Sequence, residues 1–240
     1  MIVLAAAVAL APRQIAMARE PEPPPPARFE HDMIVRFHMH ENFDLLRAIE
    51  KLLLRGRLDD AKALAQAIAE APDEPGLGAL APHAIRVRDQ AANLARAPTI
   101  DEACRREARL AVACAGCHVE TGVMPALSSL PPIPPDRNTI EARMARHLWA
   151  TDRLWEAVVG GGNEPWVNGL DVLSATPFPF RAALDDRAGL AKQLQQVASA
   201  ARKRSSKDDL TERGRVYGQI LTICATCHTS STITKLPSEK

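Results

Sequence analysis

The chain has 240 residues, 46% hydrophobic and only 4% aromatic, with five cysteines. Its formal charge of +1 gives no electrostatic reason for binding nucleic acid or an anionic membrane surface. Alanine and leucine dominate and alternating Val/Ile/Thr runs are scarce, which favours an all-α protein.

Ile2 to Ala11 (IVLAAAVALA) is an apolar run too short to span a bilayer, of a length that suits a signal-peptide core. Ala16-Met17-Ala18 offers a small-x-small cleavage site. The usual basic n-region is missing, Arg13 being the first basic residue; an upstream start or a retained N-terminal anchor would each account for that. Residues 1–18 are therefore expected to be a signal peptide, and 19–31, with EPEPPPP at 20–26, a stiff extended linker.

From Asp32 the pattern turns helical, with apolar residues at 35, 39, 43, 46, 49 and 53 and Gly56 as the stop. Leu58 to Ala71 and Pro82 to Ala97 predict two further helices, separated by Pro72-Asp73-Glu74-Pro75. Thr99 and Glu102 read as a capping box opening a fourth helix, which runs into Cys114-Ala115-Gly116-Cys117-His118. LPPIPPD at 130–136 marks a second linker, taken as 129–137. Then the pattern restarts. A capping signal at Asn138-Thr139-Ile140-Glu141 opens a helix to Val159, stopped by Gly160-Gly161-Gly162. Helices over Pro165 to Ala175, Asp185 to Lys203 and Lys207 to His228 follow. The last ends in Cys224-Ala225-Thr226-Cys227-His228. The expected organisation is two tandem four-helix bundles, 32–128 and 138–230, each with its C-x-x-C-H at the end of the last helix, and a tail at 231–240. A shift of 105 residues superposes Met39 on Met144, Ile49 on Leu154, Leu52-Leu53-Leu54 on Ala157-Val158-Val159 and Gly56 on Gly161, while the two motifs lie 110 apart.

C-x-x-C-H is the spacing of a c-type haem attachment site: two thiols reach the two vinyl groups of a porphyrin, and the adjacent imidazole sits under the iron. A C-x-x-C also serves as a zinc half-site or a thioredoxin-like redox pair. The two pairs are far apart for a zinc ribbon, and no βαβ pattern surrounds either. The residues expected to hold haem covalently are thus Cys114, Cys117, Cys224 and Cys227, and the expected proximal ligands His118 and His228, for two haem c groups. Cys104 is left over, a small buried residue or a free reactive thiol.

In the common small cytochrome c fold the motif opens its domain. Here 12 residues follow the second motif, so its pocket is expected from the helices before it. That arrangement resembles class II c-type cytochromes, the four-helix-bundle family of cytochrome c′ and cytochrome c556. It also resembles a bacterial group of dihaem proteins with two such modules in tandem, a likeness carried by Phe37-His38-Met39-His40-Glu41-Asn42-Phe43 and Met144-Ala145-Arg146-His147-Leu148-Trp149. The resemblance implies a sixth ligand from a methionine early in the first helix, hence Met39 and Met144, each of which begins an apolar stripe. A methionine on such a stripe is ordinarily core filling. His38 and His40 flank Met39 but point to either side of it. His147 shares the face of Met144 and is the alternative axial ligand, with Asn42 in the equivalent place of the first half. His83, at a helix start, reads as structural. Arg36, Arg47, Arg146 and Arg153 are candidates to pair with haem propionates, or simply solvated. Trp149, Trp155 and Tyr217 read as pocket or core aromatics.

The resemblance implies a non-enzymatic function: single-electron transfer in the periplasm through two covalently bound haems, with periplasmic or membrane-bound redox proteins as partners. A homodimer stays open, since bundle cytochromes often pair. The alternative is a gas-binding or sensing protein of the cytochrome c′ kind, with one haem open to nitric oxide or carbon monoxide. Haem would also supply much of each core, so the apoprotein is expected to fold poorly.

Overall fold

A computed structural model describes residues 26–72, 75–122, 131–176, 187–207 and 209–229. The expected signal peptide and tail, and residues 19–25 of the first linker, lie outside them. Among the described residues the protein is all-helical, with no strand. The helices are α1 (Pro26–Leu54), α2 (Leu58–Ala69), α3 (Ala81–Ala95), α4 (Ile100–Thr121), α5 (Ile140–Gly160), α6 (Asn163–Ala175), α7 (Arg187–Arg204) and α8 (Leu210–Thr229), with a short 3₁₀ segment at Pro75–Leu80 before α3. None of them is long and apolar enough to cross a membrane.

The largest shift of an expected boundary is at the start of α1; α2 also ends at Ala69 rather than Ala71, α6 begins at Asn163 rather than Pro165, and α8 begins at Leu210 rather than Lys207. α1 begins at Pro26 rather than Asp32, because proline is tolerated in a first helical turn and residues 27–31 carry no breaker. Residues 131–137 of the second linker have no regular secondary structure, as the paired prolines require. The capping signals work as read at their first half: Thr99 accepts a hydrogen bond from the Glu102 amide and Thr139 from the Ala142 amide, each at 3.3 Å. The reciprocal half of the first box is not formed. Arg106, Arg105 and Arg109 claim the Glu102 carboxylate, holding it down at about 2.

Gly56 and Gly161, paired by the 105-residue shift, adopt the same left-handed conformation just past α1 and α5, with φ of 71° and 73°. Successive helices pack as α1–α2–α3–α4 and as α5–α6–α7–α8, with α1 also against α4 and α5 against α8. The two sets do not stand apart. α4 and α8 make the most extensive packing in the molecule, and one continuous apolar core runs from Leu46, Ile49 and Leu53 through Leu110 to Trp155, Tyr217 and Ile220. Small residues allow this approach. A Cβ at Gly218 would lie 3.3 Å from both the Ala108 Cβ and the Arg105 Cα, and one at Gly214 only 2.5 Å from a Val112 methyl. Ala108 and Gly218 are equivalent by the 110-residue motif spacing, and so are Glu107 and Tyr217. Arg47 of α1 pairs with Asp152 of α5, its own equivalent 105 residues on. Repeat-related positions therefore meet each other across the seam, as they do around a two-fold axis.

Candidate functional site

Each motif lies in the last turns of a helix, where thiols at i and i+3 project from one face. In both cases that face looks into an apolar cavity walled by the equivalent three helices. The first cavity is lined by Val35, His38, Met39 and Asn42 of α1, by His83, Ala84 and Val87 of α3, by Leu77 and Leu80, and by Cys114 and Cys117 of α4. The second is lined by Met144, His147, Leu148 and Thr151 of α5, by Leu190, Ala191 and Leu194 of α7, by Cys224, Cys227, His228 and Ile223 of α8, and by Leu54. Both cavities are walled almost wholly by apolar atoms. Each cavity brings together a motif's cysteine pair and the methionine of the corresponding first helix.

His118 is buried, and its Nδ1 lies 3.0 Å from the Val159 carbonyl oxygen at the end of α5. A carbonyl only accepts, so Nδ1 carries the proton and Nε2 keeps its lone pair. Nε2 is itself buried with no hydrogen-bond partner. That is the state in which an outer carbonyl holds a metal-binding imidazole. His228 is half-buried, and burial pushes its imidazole below the ordinary range, which keeps it neutral and able to coordinate.

None of the motif cysteines is in a disulfide. Burial pushes Cys114 and Cys224 up to about 12, and it raises Cys117 as well. Cys114 and Cys224 therefore stay thiols at neutral pH, the opposite of a disulfide-exchange site. Among the described residues no three His, Cys, Asp or Glu side chains converge as a protein-only metal site needs. Cys104 is fully buried between α4 and α8 and pushed well up by burial, so it behaves as a small core residue.

His147 faces the second cavity beside Met144, buried, with Nε2 3.1 Å from the Thr176 carbonyl oxygen. Nε2 is thus the protonated nitrogen, committed to Thr176, and burial lowers the ring's proton affinity. In the first cavity the Asn42 amide reaches both the Nε2 and the backbone oxygen of His38, at 3.0 and 2.9 Å. His83, read from sequence as structural, turns out to wall this cavity. The Arg86 guanidinium donates to its Nδ1, and Glu120 stands 3.6 Å from its Nε2. No local signal marked it. Only the tertiary placement of α3, where Leu190 of α7 takes the corresponding position, reveals it. His40 is exposed.

The arginines suggested for propionates divide. Arg47 is taken by Glu50 and Asp152 and stacks on Trp155, 4.5 Å from the ring centroid, away from both cavities. Arg153 pairs with Glu156 at 2.7 Å, and Arg146 donates to Thr176 and the Pro134 carbonyl. Arg36 is exposed. Trp155 and Tyr217 are core residues of the seam, while the Trp149 indole donates to the Pro131 carbonyl in the linker.

Each cavity brings two thiols and a thioether together among apolar walls, and the second adds the His228 imidazole, a donor set compatible with a flat, apolar, metal-bearing group; His118 is buried beside Val159 and is not among the residues lining the first cavity. Comparison with protein-family models, with curated proteins and with solved structures gives no match, so the functional reading rests on these two cavities alone.

Proposed function

We propose that this chain is an exported dihaem c-type cytochrome, two tandem four-helix bundles that carry single electrons in the periplasm. The observation that carries the reading is the repeated convergence, in two separate cavities, of a C-x-x-C-H cysteine pair with a methionine from the first helix of its half. Cys114 and Cys117 would hold the first haem and Cys224 and Cys227 the second, through thioethers. His118 and His228 would be the proximal ligands, and Met39 and Met144 the distal ones. When bound, each group supplies a one-electron ferric/ferrous couple. The chain's part is to orient the imidazole, as the Val159 carbonyl does for His118, and to exclude water with Leu77, Val87, Leu190 and Leu194. The Nε2 commitment of His147 to Thr176 favours Met144 over it as the sixth ligand.

The experiment is the visible spectrum of protein matured in a strain able to attach haem c, oxidised and reduced, with and without carbon monoxide. Low-spin spectra with a methionine-to-iron charge-transfer band and no carbon monoxide response support the electron carrier. Low-spin spectra without that band move the ligand to histidine. A high-spin component that shifts with carbon monoxide replaces the carrier with a gas-binding protein. Absence of covalently attached haem sinks the proposal.

A further inference from the structure

Four helices of the seam, α1, α4, α5 and α8, bury a cluster of acids that neither cavity uses. Glu50 of α1 and Glu107 of α4 are both fully inaccessible. Glu50 accepts a hydrogen bond from the Tyr217 hydroxyl of α8 at 2.7 Å and another from Arg47. Arg47 also bridges to Asp152 of α5. Among the described residues neither Glu107 carboxyl oxygen has a partner in strict hydrogen-bond geometry, and the Trp155 indole, the donor beside it, only weakly opposes the effect of burial. One guanidinium thus faces three carboxyl groups in an enclosed seam, which cannot hold all three as anions.

The cluster lies between the two cavities along α4 and α8: Glu107 stands seven residues, about two helical turns, before Cys114, which lines the first, and Tyr217, which donates to Glu50, stands seven before Cys224, which lines the second. The charged or titratable groups facing Glu50 are Arg47 and Lys51 on α1, Asp152 on α5, Tyr217 and Cys224 on α8, and Glu107 on α4. Those facing Glu107 are Glu50, Arg47, Tyr217, Cys104 and Cys114. Glu156, paired with Arg153, stands at the rim. The Arg47–Asp152 end is 17% and 19% exposed, so the cluster reaches water.

We propose that Glu50 and Glu107 form a proton-binding site shared by the two candidate haem sites, and that the chain takes up a proton there when it accepts an electron. The inference rests on the haem reading above. With haem held at the two sites, the electron would come from a one-electron donor protein, which is oxidised as the haem it reaches is reduced. A proton leaves bulk water and forms an O–H bond on the Glu50 carboxylate, so the buried charge is unchanged. Burial pushes Glu50 up to about 7, against Arg47 and Tyr217 holding it down, which puts this exchange near neutral pH. Burial pushes Glu107 well up, so it is the member already protonated. Linkage is reciprocal: if reduction tightens proton binding, protonation makes reduction easier.

The test is a potentiometric titration of the haem-loaded protein from about pH 5 to about pH 9. The proposal expects potentials that fall as pH rises through neutrality, with an overall change corresponding to about a tenfold shift in proton affinity, or about 59 mV for a one-electron couple. Glu50→Gln should flatten this region. Tyr217→Phe, which removes a donor to the ionised form, should move it to higher pH. Reduced-minus-oxidised infrared spectra of the unaltered protein should show a protonated carboxyl appearing on reduction, which decides the matter even if Glu50→Gln fails to fold. Attached haem with pH-independent potentials and no carboxyl signal overturns this inference alone. Absence of attached haem overturns the haem reading and takes this inference with it.

Discussion

Replacing Glu107 by methionine should make the protein more stable. The two side chains have similar volume, so the substitution opens no large cavity. What it removes is a carboxyl group, fully buried, whose two oxygens have no partner in strict hydrogen-bond geometry. Leaving such a group unsatisfied costs about 1–3 kcal/mol, and that is the expected gain. The gain also depends on pH. Burial raises the Glu107 carboxyl in the native state, while in the unfolded chain it returns to about 4.3. Above that value the native protein keeps a proton that the unfolded chain has lost. Stability therefore falls as pH rises, by up to about 1.4 kcal/mol per pH unit, until the native group itself ionises. Glu50, raised to about 7 mainly by burial, contributes a slope of the same sign up to near neutrality. Methionine at 107 removes one of these two slopes. Guanidinium unfolding of the haem-loaded protein should give a higher midpoint for Glu107→Met at about pH 5, and a larger advantage at about pH 8. A variant less stable than the parent, or an advantage that shrinks as pH rises, would refute the reasoning and show that the Trp155 indole satisfies Glu107.

Other expectations follow from the same packing. Gly169→Ala places a Cβ 2.8 Å from the Ala150 carbonyl oxygen and from Leu154, so α5 and α6 must separate. Overpacking of about 1–3 kcal/mol outweighs the helix-propensity gain of up to about 1 kcal/mol, and denaturant unfolding should show a net loss. Arg47→Leu leaves Glu50 and Asp152 without their shared cation and should cost roughly 3 kcal/mol at pH 8, much less at about pH 5 where Glu50 is protonated; an equal cost at both pH values would contradict this account. Cys224→Ala should leave the second haem on one thioether, read by mass spectrometry and a shifted reduced-pyridine spectrum, with the first site unaltered. Met144→Leu should open the second iron to carbon monoxide, whereas His147→Phe should not.

The helices themselves were legible in the sequence, since proline clusters and capping threonines punctuate a chain whose apolar period is three to four. Thr99 and Thr139 cap where they were expected to, and Gly56 and Gly161 take the conformation their repeat relation implies. The two cysteine pairs and the Met39/Met144 pairing pointed at residues that the two cavities bring together, while of the two motif histidines only His228 lines its cavity. The early start of α1 was obscured because a proline run reads as an extended linker, although its last proline can open a helix. His83 reached a cavity wall through the placement of α3, which no local pattern encodes. The seam was hidden for the same reason. Glu50 and Glu107 occupy positions where a helical stripe calls for an apolar residue or a solvated charge, and only the meeting of α4 with α8 encloses them. Arg47 looked like a surface arginine because its partner, Asp152, is remote in sequence.

The meeting of equivalent positions across the seam bears on which pairings the chain permits. At each crossing the two halves carry different, complementary residues: arginine opposite aspartate, alanine opposite glycine, a glutamate equivalent to a tyrosine. If the first half met a second copy of itself through this face, arginine would oppose arginine and two alanines would crowd where a glycine is needed. If the second half did so, aspartate would oppose aspartate and the packing would be left loose. Like charges and mismatched volumes at a two-fold contact select against a partner as strongly as good contacts select for one. The seam thus works as a keyed joint: each half refuses its own kind, and concatenation in one chain guarantees that every first half finds a second.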